Sequence, residues 1–391
     1  MHRLEHGILI VGGGIAGAAL ALACARAGVP ARLIEKQTVW RPSSSGIFVY
    51  ANGLGMMDRL GVLEKIMAAG WVSESGRNPY LRADGSLITE YVYPRIAGAH
   101  VPPIVGIRRS EWHRVLASAL EEAGADVRLG LSLASIDRNV EGAAVEVTLS
   151  DGAKERYDAV IAADGIRSEA RGMVFTEVAL EPTFTGFGTW RSIHRKPASI
   201  DTKIMMMGVG KRLGIMPISA DELYVFATCN EPGNPRYDRA RFHTTMREKF
   251  AEFRGPAAEL LDEITRPEQV LYTAVEEMRV PMPWHRGRVL LIGDAAHASS
   301  PFMGQGGTMA LEDAVVLAEM LAAGDEDVAA TLAAFGERRY ARCNFVQEAS
   351  RKVGEAGGVE DEAACVERDA RMQASGQAGV DSFYARMAER P

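Results

Sequence analysis

Three segments of this 391-residue chain place glycines and a carboxylate directly after a short apolar run. In the first, residues 8–17 read Ile-Leu-Ile-Val-Gly-Gly-Gly-Ile-Ala-Gly, so Gly12, Gly14 and Gly17 have the spacing G-x-G-x-x-G. In that spacing the first glycine allows a tight turn, the second lets the backbone approach a pyrophosphate, and the third lets the following helix pack closely. The N-terminus of that helix then faces the phosphates. The segment predicts a dinucleotide-binding site.

The residues on either side of these glycines support the same prediction. The run 8–11 predicts a buried parallel strand, the alanine-rich stretch 15–27 predicts a helix that Gly28 ends, and 31–34 predicts a second strand leading to Glu35. A carboxylate at that point can accept hydrogen bonds from a ribose. This ordered set is far more specific than the glycines alone. Besides these glycines and Glu35, the positions expected to contact the nucleotide are Ile15, Ala16, Lys36 and Arg41.

The second and third segments repeat the arrangement of a strand followed by an acid. A predicted strand at 157–163 leads to Asp164, and another at 289–292 leads to Gly293 and Asp294. Ligands of open α/β sheets bind at the carboxyl ends of the strands. One parallel sheet could therefore gather all three segments at a single edge.

A glycine-rich loop follows the third segment. It carries Pro301 and three glycines, and it leads into an apolar helix predicted over 309–321. Backbone N–H groups at that helix start would stabilise a negative charge on a flat ring held against Pro301. A reduced flavin carries such a charge at N1, whereas a nicotinamide does not need this stabilisation. The residues of this loop expected to contact the ring are Pro301, Gly304, Gly306, Gly307 and Thr308.

Between these segments the chain twice leaves the α/β alternation. Residues 76–98 form two alternating runs around Asp84-Gly85, which predicts a hairpin. Residues 180–280 predict a mixed sheet with strands at 190–194, 203–207, 213–218 and 223–228, and a helix at 241–253. A small antiparallel set is predicted from runs at 127–129, 133–137 and 145–149. We therefore expect an α/β fold with an α+β insertion, in which a Rossmann-like domain is joined to a mixed-sheet domain and C-terminal helices.

The composition excludes several classes of protein. The formal net charge is −7 and no basic cluster stands out, so nucleic acid is not an expected partner. No apolar run is long enough to span a membrane, and the N-terminus lacks the apolar region of a signal peptide. Four widely separated cysteines (Cys24, Cys229, Cys343 and Cys365) fit a reduced cytoplasm and predict no metal site. We expect a cytoplasmic protein, either a monomer or a homodimer.

Over most of residues 7–345 the sequence resembles the single-component FAD-dependent aromatic hydroxylases, the flavoprotein monooxygenases of the 4-hydroxybenzoate hydroxylase type. The motifs that carry the resemblance are G-x-G-x-x-G at Gly12 to Gly17, Asp164-Gly165, and Gly293-Asp294 extended through Pro301 and Gly304-Gln305-Gly306. The resemblance implies FAD, with its adenine ribose at Glu35, its ribitol at Asp294 and its ring over Pro301 and the loop glycines. It also places Arg109 on the flavin side and Asp164 near the approach of NAD(P)H. The sequence departs from the family pattern at Trp112, at Ser44-Ser45-Gly46 and at Thr308.

A weaker resemblance concerns the substrate. Residues 210–217 and 222–224 look like the corresponding strands of hydroxylases of small N-heterocycles, which implies that Arg212 and Tyr224 face the substrate. Arg191 is a third catalytic candidate. The structural alternative is a packed strand tyrosine and an arginine at the end of a hairpin.

Together these resemblances imply an NAD(P)H- and O₂-dependent monooxygenase. It would hydroxylate a small activated aromatic or N-heteroaromatic ring (of the phenol, hydroxypyridine or purine type) through a flavin C4a-hydroperoxide. The alternatives are an FAD-dependent dehydrogenase or reductase that inserts no oxygen, and a non-catalytic flavin-binding protein. The expected domains are FAD-binding at 1–75, 99–179 and 281–350, substrate-binding at 76–98 and 180–280, and a loosely packed helical segment at 351–391.

Overall fold

The structure, a computed structural model, describes residues 4–40, 45–137, 144–177, 179–324 and 327–391. Within these ranges the strands form four β-sheets. The mixed α/β class expected from the sequence is confirmed. Arg41 and Ser44, which the sequence placed in the loop after Glu35, lie outside the described residues.

The first sheet joins the three glycine-rich segments. In spatial order its six strands are His285–Arg286, Val289–Leu291, Ala159–Ala162, Ile8–Val11, Ala31–Glu35 and Asp126–Leu129. The last five of these run parallel. Val11 pairs with Ala162, and Ala162 pairs with Leu291, so the three central strands end together. The prediction that one sheet edge gathers the three segments is confirmed.

Helices surround this sheet. The predicted first helix is present with the expected bounds, Ile15–Ala27, and Gly28 ends it with a φ of 69°. It packs against the helix Gly306–Ala323, which starts three residues before the expected position. The other helices of this part of the fold are Ala51–Arg59, Leu63–Ala69, Arg109–Glu122, Glu169–Val174 and Asp294–His297.

One predicted pairing in this region is wrong. Asp126–Leu129 does not belong to an antiparallel set but pairs in parallel with Ala31–Glu35. The reason is that the helix Arg109–Glu122 carries the chain back along the sheet, so the next strand runs in the same direction. The antiparallel sheet that does form consists of Leu133–Asp137, Val145–Leu149 and Lys154–Tyr157.

A seven-stranded mixed sheet forms the second large unit. Its strands, in spatial order, are Val270–Glu277, Thr183–Arg195, Glu222–Asn230, Lys211–Pro217, Ile204–Met207, Arg77–Arg82 and Leu87–Val92. The hairpin predicted around Asp84-Gly85 is confirmed, and its first strand pairs in parallel with Ile204–Met207. The four strands predicted in 180–280 are present, and Val270–Glu277 adds one that was not predicted. The helix expected at 241–253 is shorter, Phe242–Lys249, because the chain turns before Pro256–Asp262.

The two faces of the seven-stranded sheet pack against different cores. Met206, Leu213 and Val225 point into a separate core formed with the helices beneath the sheet. Met205 and Tyr224 point the other way and join the main core shared with the parallel sheet. Because side chains alternate along strands, every second residue of this sheet therefore faces the parallel-sheet unit.

The remaining elements close the space between these units. The fourth sheet, which is antiparallel, contains Gly46–Tyr50, Ile104–Arg108 and Trp71–Ser73. Short 3₁₀ helices lie at Arg239–Arg241, Pro267–Gln269 and Pro301–Met303.

The C-terminal region consists of two long helices, Val328–Gly357 and Glu362–Ala388. The expected boundary at residue 351 lies within the first of them. The expectation of loose packing is wrong, because Phe383, Tyr384 and Met387 are buried in the main core. In the parts of the chain that the structure describes, no helix combines the length and apolarity needed to cross a bilayer.

Candidate active site

The glycine-rich loop after the first strand is shaped by close backbone contacts. Gly12 has a φ of 103°, and a Cβ at this position would lie 2.7 Å from the carbonyl oxygen of Ala163. A Cβ on Gly17 would overlap the carbonyl oxygen of Gly12. Both glycines are therefore required for packing. Gly14 differs, because a Cβ there would have no atom within 4 Å, and the space beside it is open for a ligand.

Two helix N-termini point to this region without side chains that cap them. Gly14 precedes the helix Ile15–Ala27, and Gln305 precedes the helix Gly306–Ala323; neither makes a side-chain capping bond, and neither first turn holds an acid. Exposed N–H groups and the positive end of a helix dipole favour bound anions. The two termini therefore fit the pyrophosphate and the anionic ring of a reduced flavin.

The Glu35 carboxylate lies beside the loop, as predicted. It accepts hydrogen bonds from the backbone N–H of Gly13 at 2.7 Å and of Gln37 at 2.9 Å. Ala16 contacts the third glycine segment, since a Cβ on Gly293 would lie 2.9 Å from its Cβ. Lys36 points outward, with its Nζ 4.0 Å from Glu169.

Two aromatic residues that the sequence reading missed hold the same loop. The Trp40 ring covers Gly13, and its centroid lies 4.9 Å from that of His113. His113 Nε2 lies 2.7 Å from the carbonyl oxygen of Gly13. Neither residue belongs to a recognisable motif, and the contact joins positions about a hundred residues apart.

Asp164 lies at the end of the adjacent strand. Its Oδ2 accepts a hydrogen bond of 3.1 Å from the backbone N–H of Ala170. Its Oδ1 is buried and, among the described residues, has no hydrogen-bond partner. Buried polar atoms are nearly always paired, so this oxygen is suited to a polar group of a ligand.

The Gly293-Asp294 corner rests on a buried ionic network. Asp313 accepts hydrogen bonds from the Gly293 backbone N–H at 2.9 Å and from Arg339 Nε at 2.8 Å, and His297 Nε2 lies 2.6 Å from its carboxylate. Burial alone would raise the pKa of Asp313, but His297 and Arg339 lower it to about 2. The network holds the Gly293 backbone in place from the buried side, while the Asp294 side chain is exposed to solvent.

The loop of residues 301–308 continues this corner toward the seven-stranded sheet. Pro301 is exposed at the start of a 3₁₀ helix, and Gly304 ends that helix with a φ of 65°. A Cβ on Gly307 would lie 2.8 Å from the Trp112 ring, so the large residue at 112 packs directly on this glycine. The buried Thr308 hydroxyl faces Gly53 and has no hydrogen-bond partner in the described chain.

The structure brings Arg191 and Tyr224 together with Arg109. Arg191 and Tyr224 lie on neighbouring strands, two positions apart in the register, because Arg191 pairs with Phe226 and Tyr224 with Ile193. Arg191 also donates a hydrogen bond to the Thr273 hydroxyl. Burial raises the pKa of Tyr224, and the positive charges of Arg191 and Arg109 oppose that rise. Burial likewise lowers the pKa of Arg191. The tyrosine therefore stays protonated beside two cations.

Arg212 connects the sheet to the loop. It pairs across the strands with Thr228, and its Nε donates to that hydroxyl at 3.3 Å. Its Nη2 donates to the carbonyl oxygen of Phe302 at 3.4 Å, and its guanidinium lies 4.7 Å from the centre of the Phe302 ring. Arg212 is only 4% exposed, and burial lowers its pKa to about 10. Arg212 does lie at the end of a hairpin, where it pairs with Met207, but its side chain is buried and not exposed.

An aromatic cluster, unforeseen from the sequence, borders the loop. Tyr50, Tyr93 and Tyr384 have ring centroids 5.0–5.8 Å apart. Tyr384 comes from the C-terminal helix, and its hydroxyl lies 3.5 Å from Gln305 Nε2, at the start of the helix Gly306–Ala323. Three distant segments supply these rings, so no local pattern signals them.

Comparison with known proteins agrees with this geometry. The model of the family described as "FAD binding domain" matches residues 5–348, and the chain belongs to this family. The chain is therefore an FAD-binding protein.

The relatives are FAD-dependent monooxygenases, and the chain is a member of that group. It is 35% identical to the 2-heptyl-3-hydroxy-4(1H)-quinolone synthase of Pseudomonas aeruginosa, with 90% of this chain and 89% of that protein covered. It is 30% identical to the aurachin C monooxygenase/isomerase of Stigmatella aurantiaca, with 96% of each covered. In fold it is similar to Klebsiella pneumoniae HpxO, solved with FAD and uric acid, with a TM-score of 0.87, 23% identity, and coverage of 99% of this chain and 98% of that one.

Proposed function

We propose that this protein is an NAD(P)H-dependent FAD monooxygenase that hydroxylates a small activated aromatic ring, most suitably an N-heteroaromatic one. The observation that carries the proposal is the contact between Arg212 Nη2 and the carbonyl oxygen of Phe302. This contact sets the residues proposed to bind the substrate against the loop proposed to hold the flavin ring. The names of the relatives refer to a quinolone and to urate, both N-heterocycles.

The residues around the parallel sheet fit FAD in our proposal. Gly14 leaves space for the pyrophosphate, Glu35 would take the adenine ribose, and Asp294 would take the ribitol. The N-terminus of the helix Gly306–Ala323 would stabilise the negative charge of the reduced ring. FAD bound there and reduced by NAD(P)H would supply the chemistry that activates O₂, with one oxygen atom going to the substrate ring and the other to water.

The seven-stranded sheet would then bind and orient the substrate. Tyr224, protonated because burial raises its pKa, can donate a hydrogen bond to a ring oxygen or nitrogen. Arg191 and Arg212 can stabilise negative charge that develops on the ring during hydroxylation. The aromatic cluster around Tyr50 would exclude water from the reacting atoms. In this proposal, residues 76–98 and 180–280 form the substrate-binding part.

Turnover with a substrate panel tests the proposal. The FAD-loaded protein is given NADH or NADPH with phenols, hydroxybenzoates, hydroxypyridines, purines and 4-quinolones under ¹⁸O₂. We expect one ring class to stimulate nicotinamide oxidation and to gain one labelled oxygen atom. Reduction of other acceptors without label in any product would instead support a dehydrogenase or reductase.

A matched pair of variants links that activity to the site. Arg212→Met removes the charge that faces the loop, whereas Lys211→Met changes the neighbouring residue, whose side chain lies 3.7 Å from Glu252. We expect the first variant to lose most of its kcat/KM and the second to retain it. Equal losses in both would contradict the placement of the substrate.

A further inference from the structure

Two buried cations at the seven-stranded sheet, one just before a strand and one within a strand, have no carboxylate partner among the described residues. Lys203 is 3% exposed and Arg212 is 4% exposed. Among the described residues no Asp or Glu forms an ion pair with either, and their hydrogen-bond partners are a phenol, a hydroxyl and a carbonyl. An isolated buried charge is costly unless a ligand compensates it.

The other buried arginines of the described chain have acceptors of their own, and Arg171 (4% exposed) donates to the backbone carbonyl oxygens of Leu180, Ala295 and Ile166. Arg339 lies 2.8 Å from Glu312 and 2.8 Å from Asp313. Arg368 lies 2.9 Å from Asp369. Among the described residues, Lys203 and Arg212 have neither a carboxylate nor the three carbonyl acceptors that Arg171 has.

Both cations face the proposed substrate region. Met205 lies on the face that packs toward the parallel-sheet unit, and Lys203 and Met207, each two residues away, follow the same alternation. Met207 pairs across the strands with Arg212, which places Arg212 on that face too. The positive charge of Arg212 also acts on Lys203, as the second cause that lowers its pKa.

Aromatic rings enclose the Lys203 ammonium. Its Nζ donates to the Tyr50 hydroxyl at 2.9 Å and lies 4.9–5.5 Å from the ring centres of Phe48, Tyr50 and Tyr93. A Cβ on Gly304 would lie 3.5 Å from the Tyr50 ring, so the cage borders the glycine loop. The cage therefore places the ammonium beside the loop proposed to hold the flavin ring.

Among the residues that the structure describes, none supplies an anion beside Lys203. Burial raises the pKa values of Tyr50, Tyr80, Tyr93 and Tyr384, so these hydroxyls stay neutral at neutral pH. Burial, followed by repulsion from Arg212, lowers the pKa of Lys203 to about 7. A bound anion would stabilise its protonated form.

We propose that Lys203 and Arg212 together select an aromatic substrate that binds as an anion, with an ionised oxygen on or attached to the ring. The assignment deepens the proposed function, since it names the substrate's charge and a second cationic residue that recognises it. The ionised oxygen can belong to a carboxylate or to a phenolate-type ring hydroxyl. A binding measurement tests this anion preference without turnover. The anion preference can therefore be refuted or supported separately from the monooxygenase proposal.

The first experiment measures equilibrium binding to the FAD-loaded protein by calorimetry. Anthranilate is compared with its neutral amide, anthranilamide, for the carboxylate, and 4-nitrophenol with 4-nitroanisole for the phenolate. We expect wild type to prefer one anion over its neutral partner about ten- to a hundredfold, the range for a charged hydrogen bond. Binding of 4-nitrophenol as an anion would also show the phenolate absorbance in a difference spectrum below neutral pH.

Variants assign that preference to Lys203. Lys203→Met is expected to bring the anion-to-neutral ratio close to one while leaving the unfolding midpoint unchanged or raised, because a buried charge is removed. Lys203→Arg should keep the preference. Lys211→Met is the control, since its lysine pairs with Glu252 on the opposite face. If Lys203 had only a structural role, Lys203→Met would lower the stability of the protein and leave the anion-to-neutral affinity ratio unchanged.

The pH dependence gives an independent readout. The groups that face Lys203 are Arg212, Tyr50, Tyr80, Tyr93 and Tyr384, and Lys203 alone among them has a pKa near 7. Anion affinity should therefore fall by up to tenfold per pH unit above pH 7 in wild type, and this slope should disappear in Lys203→Arg. Equal affinity of wild type for anion and neutral partner, no binding of either anion, or an unchanged ratio in Lys203→Met would each overturn the proposal. An anion preference without oxygen transfer would refute the monooxygenase alone.

Discussion

Replacement of Gly14 by alanine should separate FAD binding from folding. The position has a φ of −69° and a ψ of −173°, which alanine adopts without strain, and a Cβ there would meet no atom within 4 Å. Alanine at a helix N-cap is less stabilising than glycine by up to about 1 kcal/mol. Against this loss, alanine lowers the conformational entropy of the unfolded chain, which stabilises the folded variant by about 0.4–1 kcal/mol. The FAD-free variant should therefore be as stable as wild type.

Its FAD affinity should nevertheless fall steeply. The added methyl group occupies the open space in which we place the pyrophosphate, and it would push the phosphates away from the N–H groups of the helix Ile15–Ala27. Loss of two charge-assisted hydrogen bonds at about 1.5 kcal/mol each corresponds to roughly a hundredfold weaker binding. Calorimetric titration of FAD into apoprotein measures the affinity, and urea unfolding measures the stability.

Gly28→Ala, at the other end of the same helix, should show the opposite pattern. Its Cβ also meets open space, but its φ of 69° is unfavourable for alanine. It should lose about 1–2 kcal/mol of stability and keep its FAD affinity. If Gly14→Ala binds FAD as tightly as wild type, the phosphates do not lie at this turn and the reasoning is refuted.

Three further predictions concern the buried corner and the substrate face. Asp313→Asn should lower the free energy of unfolding by about 3 kcal/mol, because it weakens the contacts to Gly293, His297 and Arg339; urea unfolding measures this, and a loss below about 1 kcal/mol would show that the network is not needed. The same pair of proteins tests the pH dependence. With a pKa lowered from 3.8 to about 2, Asp313 contributes stability that is fully present above pH 3.8 and is lost as the pH falls through about 2, so the difference between wild type and variant should shrink over that interval; a constant difference would contradict the lowered pKa. Tyr224→Phe should reduce kcat/KM about tenfold for the ring class that wild type hydroxylates, with FAD affinity unchanged; an unaltered kcat/KM would show that the hydroxyl does not contact the substrate.

The sequence by itself determined the nucleotide-binding corner. The strand Ile8–Val11, the helix Ile15–Ala27 and the strand Ala31–Glu35 follow from apolar periodicity and glycine spacing, which act over a few residues. The same local signals identified the strands that lead to Asp164 and to Gly293. The loop glycines could also be identified from the sequence, because a close backbone contact or a positive φ restricts the choice of residue at such positions.

Only the tertiary structure decided how the proposed substrate-binding face is assembled. Sheet register sets Arg191 beside Tyr224, and a one-residue slip would turn every side chain to the opposite core. Register depends on pairing between strands far apart in the chain, which apolar periodicity does not encode. Tyr384 joins the site only because the helix Glu362–Ala388 packs over it. Lys203 shows the difference most clearly: as one lysine before an apolar strand it carries no signal, and it becomes a candidate binding residue when folding surrounds it with aromatic rings and leaves it without a carboxylate.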